Sequence, residues 1–275
     1  MKAKKQELEG RIVDLCRELK LPAVARDAAR LATEATRQGT DPLAYIVELF
    51  EIELDERRER RAKRRTREAC FPVVKTLEGF DFSRAPHLPE TLLRQLCGGE
   101  YIDRAEPVIF VGDPGTGKTH LASALGEAAA RQGRRVKFTT AAGLVTDLVE
   151  ARDAQELGRV VRRYSKVSLL ILDELAYLPL ARSDAELLFR VLGERTERLP
   201  VVITTNLPFS EWTTMFPDPR LCRAILDRLT HRAHIIETGE NSIRLEEALR
   251  RRGRGAKKSK SRSPSSKKQD REVEP

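Results

Sequence analysis

Five short runs that contain apolar residues, most of them predominantly apolar, recur along the second part of the chain. They are 107–111, 135–139, 167–172, 200–205 and 233–237. Runs of this length that are rich in Val, Ile, Leu and Phe are typical of strands buried in a parallel sheet. We therefore predict an α/β fold in which a parallel sheet is flanked by helices.

The segments between these runs have the pattern of helices. Their apolar residues recur three and four positions apart, and the segment after the first run stops at Gly133. Helices are predicted over 120–132, over 141–151 with a helical continuation to Tyr164, over 184–198, and from Asp218 onward. Strands thus alternate with helices, as the crossover connections of a parallel sheet require.

The first part of the chain, 1–68, shows helical periodicity alone. One face of a first helix carries Leu8, Ile12, Leu15, Cys16 and Leu19. A second helical run covers 22–38 and is broken at Gly39. Asp41 followed by Pro42 has the form of a cap and a first-turn proline, and opens a third helix. We predict a small helical domain here.

Residues 69–105 lose this periodicity and contain several prolines and glycines, so we predict a connector. Its piece 76–82 is apolar enough to lie against the following domain, which we assign to 106–249. The remainder, 250–275, is rich in Lys, Arg and Ser and poor in large apolar residues. Such a segment buries too little apolar surface to offset its ordering entropy, which predicts a disordered basic tail.

The charge balance indicates a polyanionic partner. The net charge is +9 and the pI is about 9.6, which makes nucleic acid the first candidate. The four cysteines form no C-x-x-C pair, so neither a disulfide framework nor a zinc ribbon is predicted. No apolar run is long enough to span a bilayer, and the amino-terminal segment lacks the apolar core of a signal peptide. We expect a cytoplasmic protein without a membrane partner.

One segment matches the phosphate-binding pattern G-x-x-x-x-G-K-[ST] at every fixed position: Gly112, Asp113, Pro114, Gly115, Thr116, Gly117, Lys118 and Thr119. It follows a predicted strand and precedes a predicted helix, the context that this loop requires. Its backbone N–H groups and the helix dipole would attract phosphate oxygens. Lys118 would reach the terminal phosphates, and the Thr119 hydroxyl would bind Mg²⁺. His120 would either touch the nucleotide or lie on the helix surface.

Two further strands end in polar residues. Asp173 and Glu174 follow the run 167–172, so that one carboxylate would lie beside the Mg²⁺ and the next would act as the base that activates water. Asn206 follows the run 200–205, whose strand is expected between the other two. Its amide could contact the γ-phosphate or the attacking water. The alternative interpretation is that Asp173 and Glu174 cap the following segment and that Asn206 only begins a loop. The phosphate loop upstream disfavours it.

The third predicted helix ends in a block of cations. We assign DNA contacts to five of them, Arg57, Arg58, Arg61, Arg64 and Arg65. One interpretation is a surface that binds the phosphate backbone, favoured because the acidic residues cluster upstream. The other is a solvated helix whose cations are balanced by those acidic neighbours. The sequence leaves both open.

In this order and spacing, the motifs resemble those of the IstB-like ATP-binding proteins, transposition helpers of bacterial insertion sequences that share an AAA+ core with the DnaC helicase loaders. The resemblance covers about 10–248 and is carried by 80–83, 117–122, 172–180, 204–212 and 226–229. Asp113 stands where the family often has proline, and Ala176 where it often has glycine. Neither position carries the chemistry, and the basic tail is not part of the family pattern.

The resemblance implies an ATPase whose ATP-dependent homo-oligomers, rings or filaments, assemble on duplex DNA and assist the transposase of the same insertion sequence. It also implies that Arg228 is an arginine finger for the neighbouring subunit's ATP. The phosphate loop is not followed by an Asn-Lys-x-Asp run, the usual guanine reader, which favours ATP. A replicative-helicase loader and a P-loop kinase are the alternatives. The arginine-rich region joined to the core favours the transposition helper over a helicase loader. Glu174 disfavours a kinase, because a base at this position suits the activation of water.

Overall fold

The computed structural model describes residues 2–175, 181–195, 198–216, 218–240 and 242. Five parallel strands form one sheet in the order β2-β3-β4-β1-β5. They are β1 (Val108–Val111), β2 (Val136–Thr140), β3 (Leu169–Leu175), β4 (Val201–Thr205) and β5 (His234–Glu237). The sheet confirms the predicted α/β fold, with β4 between β1 and β3 as expected. The predicted tail, 250–275, lies outside the described residues.

Helices surround the sheet and precede it. The described α-helices are α1 (Lys2–Glu18), α2 (Pro22–Gln38), α3 (Pro42–Glu68), α4 (Glu90–Cys97), α5 (Glu100–Asp103), α6 (Lys118–Arg131), α7 (Ala141–Asp153), α8 (Leu157–Ser165), α9 (Arg182–Arg195), α10 (Trp212–Met215) and α11 (Pro219–Thr230). Most follow the predicted periodicity within a few residues. The acidic pair was expected after β3, but the strand continues through both residues to Leu175.

The sheet has a hydrophobic core on each face, because alternate strand residues point to opposite sides. Phe110 and Ile171 are buried on the face covered by α4 and α6. Ile109 and Leu172 are buried on the other face, against helices α7, α8, α9 and α11. This burial on both sides explains why the strands read as nearly continuous apolar runs. Because the strands are parallel, the carboxyl ends of β1, β3 and β4 lie along one edge of the sheet.

The connector is more structured than its sequence suggested, since it contains α4 and α5. Its aromatic Phe71 packs edge-on against Phe138, with ring centroids 6.0 Å apart. Leu77 and Phe80 are buried in the core cluster of the α6 face. The piece 76–82 therefore lies against the α/β domain as predicted.

Helices α1, α2 and α3 form the predicted helical region around a small core of Cys16, Val24 and Ala28. Glu53 of α3 is buried and accepts hydrogen bonds from the backbone N–H groups of Ala23 (2.9 Å) and Val24 (3.4 Å), at the start of α2. Burial by itself would raise the pKa of Glu53. Hydrogen bonds from Arg57 and the two N–H groups outweigh it and hold the pKa below its usual value. No helix in the described part of the chain has the length and apolarity to cross a membrane.

Candidate active site

The phosphate-loop motif connects β1 to α6 and curls back on the segment after β5. Gly112 has φ 152°, and a Cβ there would lie 2.4 Å from Thr238 Oγ1 and 2.8 Å from the Gly239 carbonyl oxygen. Gly117, with φ 98°, is the left-handed residue immediately before α6. Glycine is thus required at Gly112 by a close approach and at Gly117 by backbone conformation.

Contacts with the segment after β5 hold this loop in place. The Asp113 N–H donates to the Gly239 carbonyl oxygen at 3.0 Å. The Thr116 and Thr238 hydroxyls lie 2.7 Å apart, and Thr116 is buried. Thr116 therefore contributes its side chain to the loop's own structure. The neighbouring residues Pro114 and Gly115 face the adjoining cavity.

Lys118 lies across the mouth of the loop. Its ammonium group donates to the carbonyl oxygens of Gly112 at 2.6 Å and of Asp113 at 2.8 Å, and its side chain is largely buried. The cation is thus held against the same loop whose N–H groups would surround phosphate oxygens.

The structure brings Thr119 and Asp173 together, although they lie on different elements. The Thr119 hydroxyl is 3.1 Å from each carboxylate oxygen of Asp173, which is buried. Mg²⁺ prefers oxygen ligands and usually takes one or two from protein beside substrate phosphates and water. A hydroxyl and a carboxylate at this spacing, beside a phosphate loop, fit that requirement.

Glu174 and Asn206 lie at the carboxyl ends of β3 and β4 and line one cavity with the phosphate loop. Glu174 is exposed, and its backbone has φ 57°, in the left-handed region that costs a non-glycine residue free energy. Asn206 is half-buried. The sequence predicted that these residues would meet, and the geometry brings them to one site.

The cavity has a volume of about 530 Å³ and a wall that the motifs did not predict. This wall is the part of the lining that the connector supplies, with Lys75, Phe80, Asp81 and Arg84. In the sequence, the apolar piece 76–82 predicted that the connector contacts the domain. It did not predict that charged side chains of the connector line the cavity. The cavity is large enough to hold a nucleotide between the loop and the connector.

His120 links the phosphate-loop helix to this wall. Its Nε2 lies 2.9 Å from the Thr76 carbonyl oxygen, and its ring meets the Phe80 ring edge-on at 5.2 Å. Burial lowers the pKa of His120, so that the neutral ring is favoured at physiological pH. The imidazole is therefore engaged with the connector even though it also lines the cavity.

Arg228 is not among the residues that line the cavity. It is exposed on α11, and its guanidinium carbon lies 4.8 Å from the ring centroid of Phe189 on α9. The guanidinium also passes close to Gly193, where a Cβ would lie 2.7 Å from Arg228 Nη1. Within one subunit, the structure does not bring Arg228 to the phosphate loop.

The five arginines predicted to bind DNA fall into two groups. Arg57 is tied to Glu53 (2.9 Å) and to the Lys20 carbonyl oxygen (2.6 Å), and Arg65 donates to the Gly133 carbonyl oxygen at 3.3 Å. Each of the two thus donates to a backbone carbonyl oxygen of another segment of the same chain. Arg57 is nevertheless exposed, as are the other three, Arg58, Arg61 and Arg64.

Comparison with known proteins gives matches over most of the chain. The model of the family described as IstB-like ATP binding protein matches residues 15–251. An insertion sequence ATP-binding protein of Sinorhizobium fredii is 36% identical over 90% of this chain and 85% of its own length. The ATP-binding protein named for insertion sequence IS21 of Pseudomonas aeruginosa is 36% identical over 85% of this chain and 88% of its own length. Among solved structures, DnaI has a TM-score of 0.51 at 20% identity and covers 59% of this chain and 90% of DnaI, a likeness in fold alone.

Proposed function

The chain belongs to the IstB-like ATP-binding proteins and is a P-loop AAA+ ATPase, and from that premise we propose that it works on DNA as the ATP-dependent helper of an insertion-sequence transposase. The relatives' names support the insertion-sequence context. The basic charge of the chain supports DNA as a partner. The transposase of the same insertion sequence is the proposed protein partner.

ATP binding is assigned to the loop and the elements around it. Backbone N–H groups of the loop, such as those of Gly115 and Gly117, and the Lys118 ammonium would hold the phosphates, while the connector wall would hold the rest of the nucleotide. Thr119 and Asp173 would hold Mg²⁺, which supplies charge neutralisation at the β- and γ-phosphates when bound. His120 would steady the loop helix against the wall through its Thr76 contact rather than bind phosphate.

Hydrolysis is assigned to Glu174 with Asn206. The Glu174 carboxylate would accept a proton from a water molecule as the water oxygen bonds to the γ-phosphorus. The bond from that phosphorus to the β–γ bridging oxygen breaks, which leaves ADP and inorganic phosphate. Asn206 would orient the water or a γ-phosphate oxygen through its amide.

An arginine finger supplied in trans is proposed for Arg228. Its exposure on α11 and its absence from the lining of its own cavity support contact with a neighbouring subunit's site. A planar cation from outside the loop would meet the charge that develops on the γ-phosphoryl group. Homo-oligomers would then be required for full activity.

DNA binding is proposed for three of the exposed arginines of α3, Arg58, Arg61 and Arg64. Arg58 pairs with Asp55 at 3.1 Å and Arg64 with Glu68 at 3.7 Å, both in solvent. Exposed pairs of this kind contribute about 0–1 kcal/mol, so exchange of the carboxylate for a DNA phosphate costs little. Arg57 and Arg65 are instead proposed to hold the helical region together and against the core.

The observation that carries the hydrolytic assignment is that Glu174 lines one cavity with Thr119, whose hydroxyl contacts the Asp173 carboxylate at 3.1 Å. Glu174→Gln keeps a hydrogen-bonding group but removes the base, so ATP turnover should fall by ~10²-fold or more while ATP binding persists. Glu150→Gln, on an exposed position of α7, is the matched control and should leave turnover unchanged. Wild-type turnover in the Glu174 variant would reject the assignment.

A further inference from the structure

The acidic pair of the candidate site occupies an irregularity in the sheet. Leu172 pairs with Ile203 and Leu175 pairs with Thr205, so two residues of β3 lie opposite the single residue Thr204 of β4. Such a bulge bends its strand locally and re-aims side chains, and bulges are common beside active sites. The two residues in this bulge are the proposed metal-side carboxylate and the proposed base.

Glu174 carries the unusual backbone of the bulge. Its φ of 57° is left-handed, a conformation that persists in a non-glycine residue only when the surrounding structure holds it. Its N–H donates to the Thr204 side-chain oxygen at 2.9 Å. A side chain of the neighbouring strand thus takes the place of a ladder carbonyl.

The same hydroxyl also binds Asp173. Thr204 Oγ1 donates to Asp173 Oδ1 at 2.5 Å, and both residues are buried. A threonine hydroxyl has one hydrogen to donate and lone pairs to accept with, so both contacts are made at once. The result is a continuous chain from the Glu174 N–H through the Thr204 hydroxyl to the Asp173 carboxylate, in which each bond polarises the next.

We propose that Thr204 is a positioning residue for hydrolysis: its hydroxyl sets the Asp173 carboxylate towards Thr119 and fixes the bulge that presents Glu174 to the cavity. The proposal rests on the proposed function of the acidic pair. A buried threonine that merely satisfies its own hydroxyl would need only one local partner. Thr205, the next residue, does that with the Leu207 backbone, whereas both Thr204 contacts fall on the acidic pair.

The test compares Thr204→Val, which keeps the shape and loses the hydroxyl, with Thr204→Ser, which keeps the hydroxyl. We expect kcat to fall about 10- to 100-fold in the valine variant, because a small displacement of the base and the metal-side carboxylate is costly. The serine variant should recover most of this loss. Affinity for a fluorescent ATP analogue in EDTA should stay within about twofold in both, since the phosphate loop is untouched.

Magnesium dependence gives a second readout that a general loss of packing would not produce. The Mg²⁺ concentration for half-maximal activity should rise in Thr204→Val and return in Thr204→Ser, because Asp173 loses and regains its orienting bond. Thr146→Val, which removes a hydroxyl contact to the Ala142 carbonyl oxygen on α7, is the matched control and should change neither quantity. If the valine variant does not fold, Thr204→Cys replaces it, because a thiol is a much weaker donor and acceptor.

The outcomes separate this proposal from the function on which it rests. Thr204→Val or Thr204→Cys with wild-type kcat, while Glu174→Gln is inactive, would overturn the role of Thr204 alone. Equal losses in the serine and valine variants would also overturn it, since the hydroxyl would then be irrelevant. Full activity of Glu174→Gln would instead reject the proposed base, whatever the threonine variants do.

Discussion

Replacing three exposed arginines of α3 would test the proposed DNA contact of this helix. The variant is Arg58→Ala, Arg61→Ala and Arg64→Ala combined. The three side chains span six positions of the helix, roughly 9 Å along its axis, which suits successive contacts with one stretch of phosphate backbone. The Arg61 stem also packs by Gly133, where a Cβ would lie 2.9 Å from Arg61 Cδ, so the core helps to hold this surface in place.

The magnitude follows from counterion release. Each lost phosphate contact should flatten the slope of log K against log salt concentration by ~0.9, so the triple variant should lose up to about 2.7 units. Anisotropy of labelled duplexes across a salt series, with a non-hydrolysable ATP analogue, measures this slope. The loss should be equal on unrelated sequences, because phosphate contacts carry no base information.

A control on the same helix separates DNA contact from folding. Arg57→Ala removes the ion pair with Glu53 and the bond to the Lys20 carbonyl oxygen, so it should lower the melting temperature with little effect on the salt slope. An unchanged slope in the triple variant would refute the reasoning and leave α3 as a solvated surface. If the slope falls as far in Arg57→Ala as in the triple variant, the assignment of Arg57 to folding rather than to DNA contact is contradicted.

Three other experiments probe separate parts of the molecule. Because Glu53 has a lowered pKa, its contribution to stability is present at neutral pH and is lost as pH falls through that pKa. Glu53→Gln should therefore reduce the fall of the melting temperature at acid pH. An unaltered pH dependence would contradict the role of Glu53 as acceptor for the first N–H groups of α2. Gly112→Ala places a Cβ 2.4 Å from Thr238 Oγ1 and should weaken ATP affinity, measured by titration, by about tenfold or more. The control Gly10→Ala, with no atom within 4 Å of the new Cβ, should leave the affinity unchanged. Equal affinities in the two variants would mean that the loop shifts to accommodate the Cβ. Arg228→Ala and Lys118→Ala proteins should each lack ATPase activity and recover some when mixed, and co-assembly on a sizing column without recovery would argue against a finger in trans.

Local sequence predicted the strands and the phosphate loop well, for physical reasons. A strand buried on both faces must be apolar along its length, and a loop that passes as closely to its neighbour as Gly112 does to Thr238 must use glycine. The meeting of Thr119 with Asp173 was also predictable, because parallel strands end at one edge of the sheet. These features depend on residue type and order alone.

Other features depend on contacts between distant residues and could not be predicted. The short helices α4 and α5 owe their stability to packing, for example of Leu93 and Leu96 into the core, rather than to a long periodic pattern. The bulge at Glu174 follows from the register of β3 against β4. Arg57 and Arg65 resemble the arginines around them in sequence, and only the folded chain brings them to the carbonyl oxygens of Lys20 and Gly133.

Transposition itself provides the most direct test of the proposed function. The measurement is strand transfer by the purified transposase of the same insertion sequence, with and without this protein and ATP. We predict that the wild-type protein increases strand transfer only when ATP is present, and that Lys118→Ala does not increase it. Equal product with and without the protein, in the presence of ATP and of duplex target that the protein binds, would contradict a role as transposition helper.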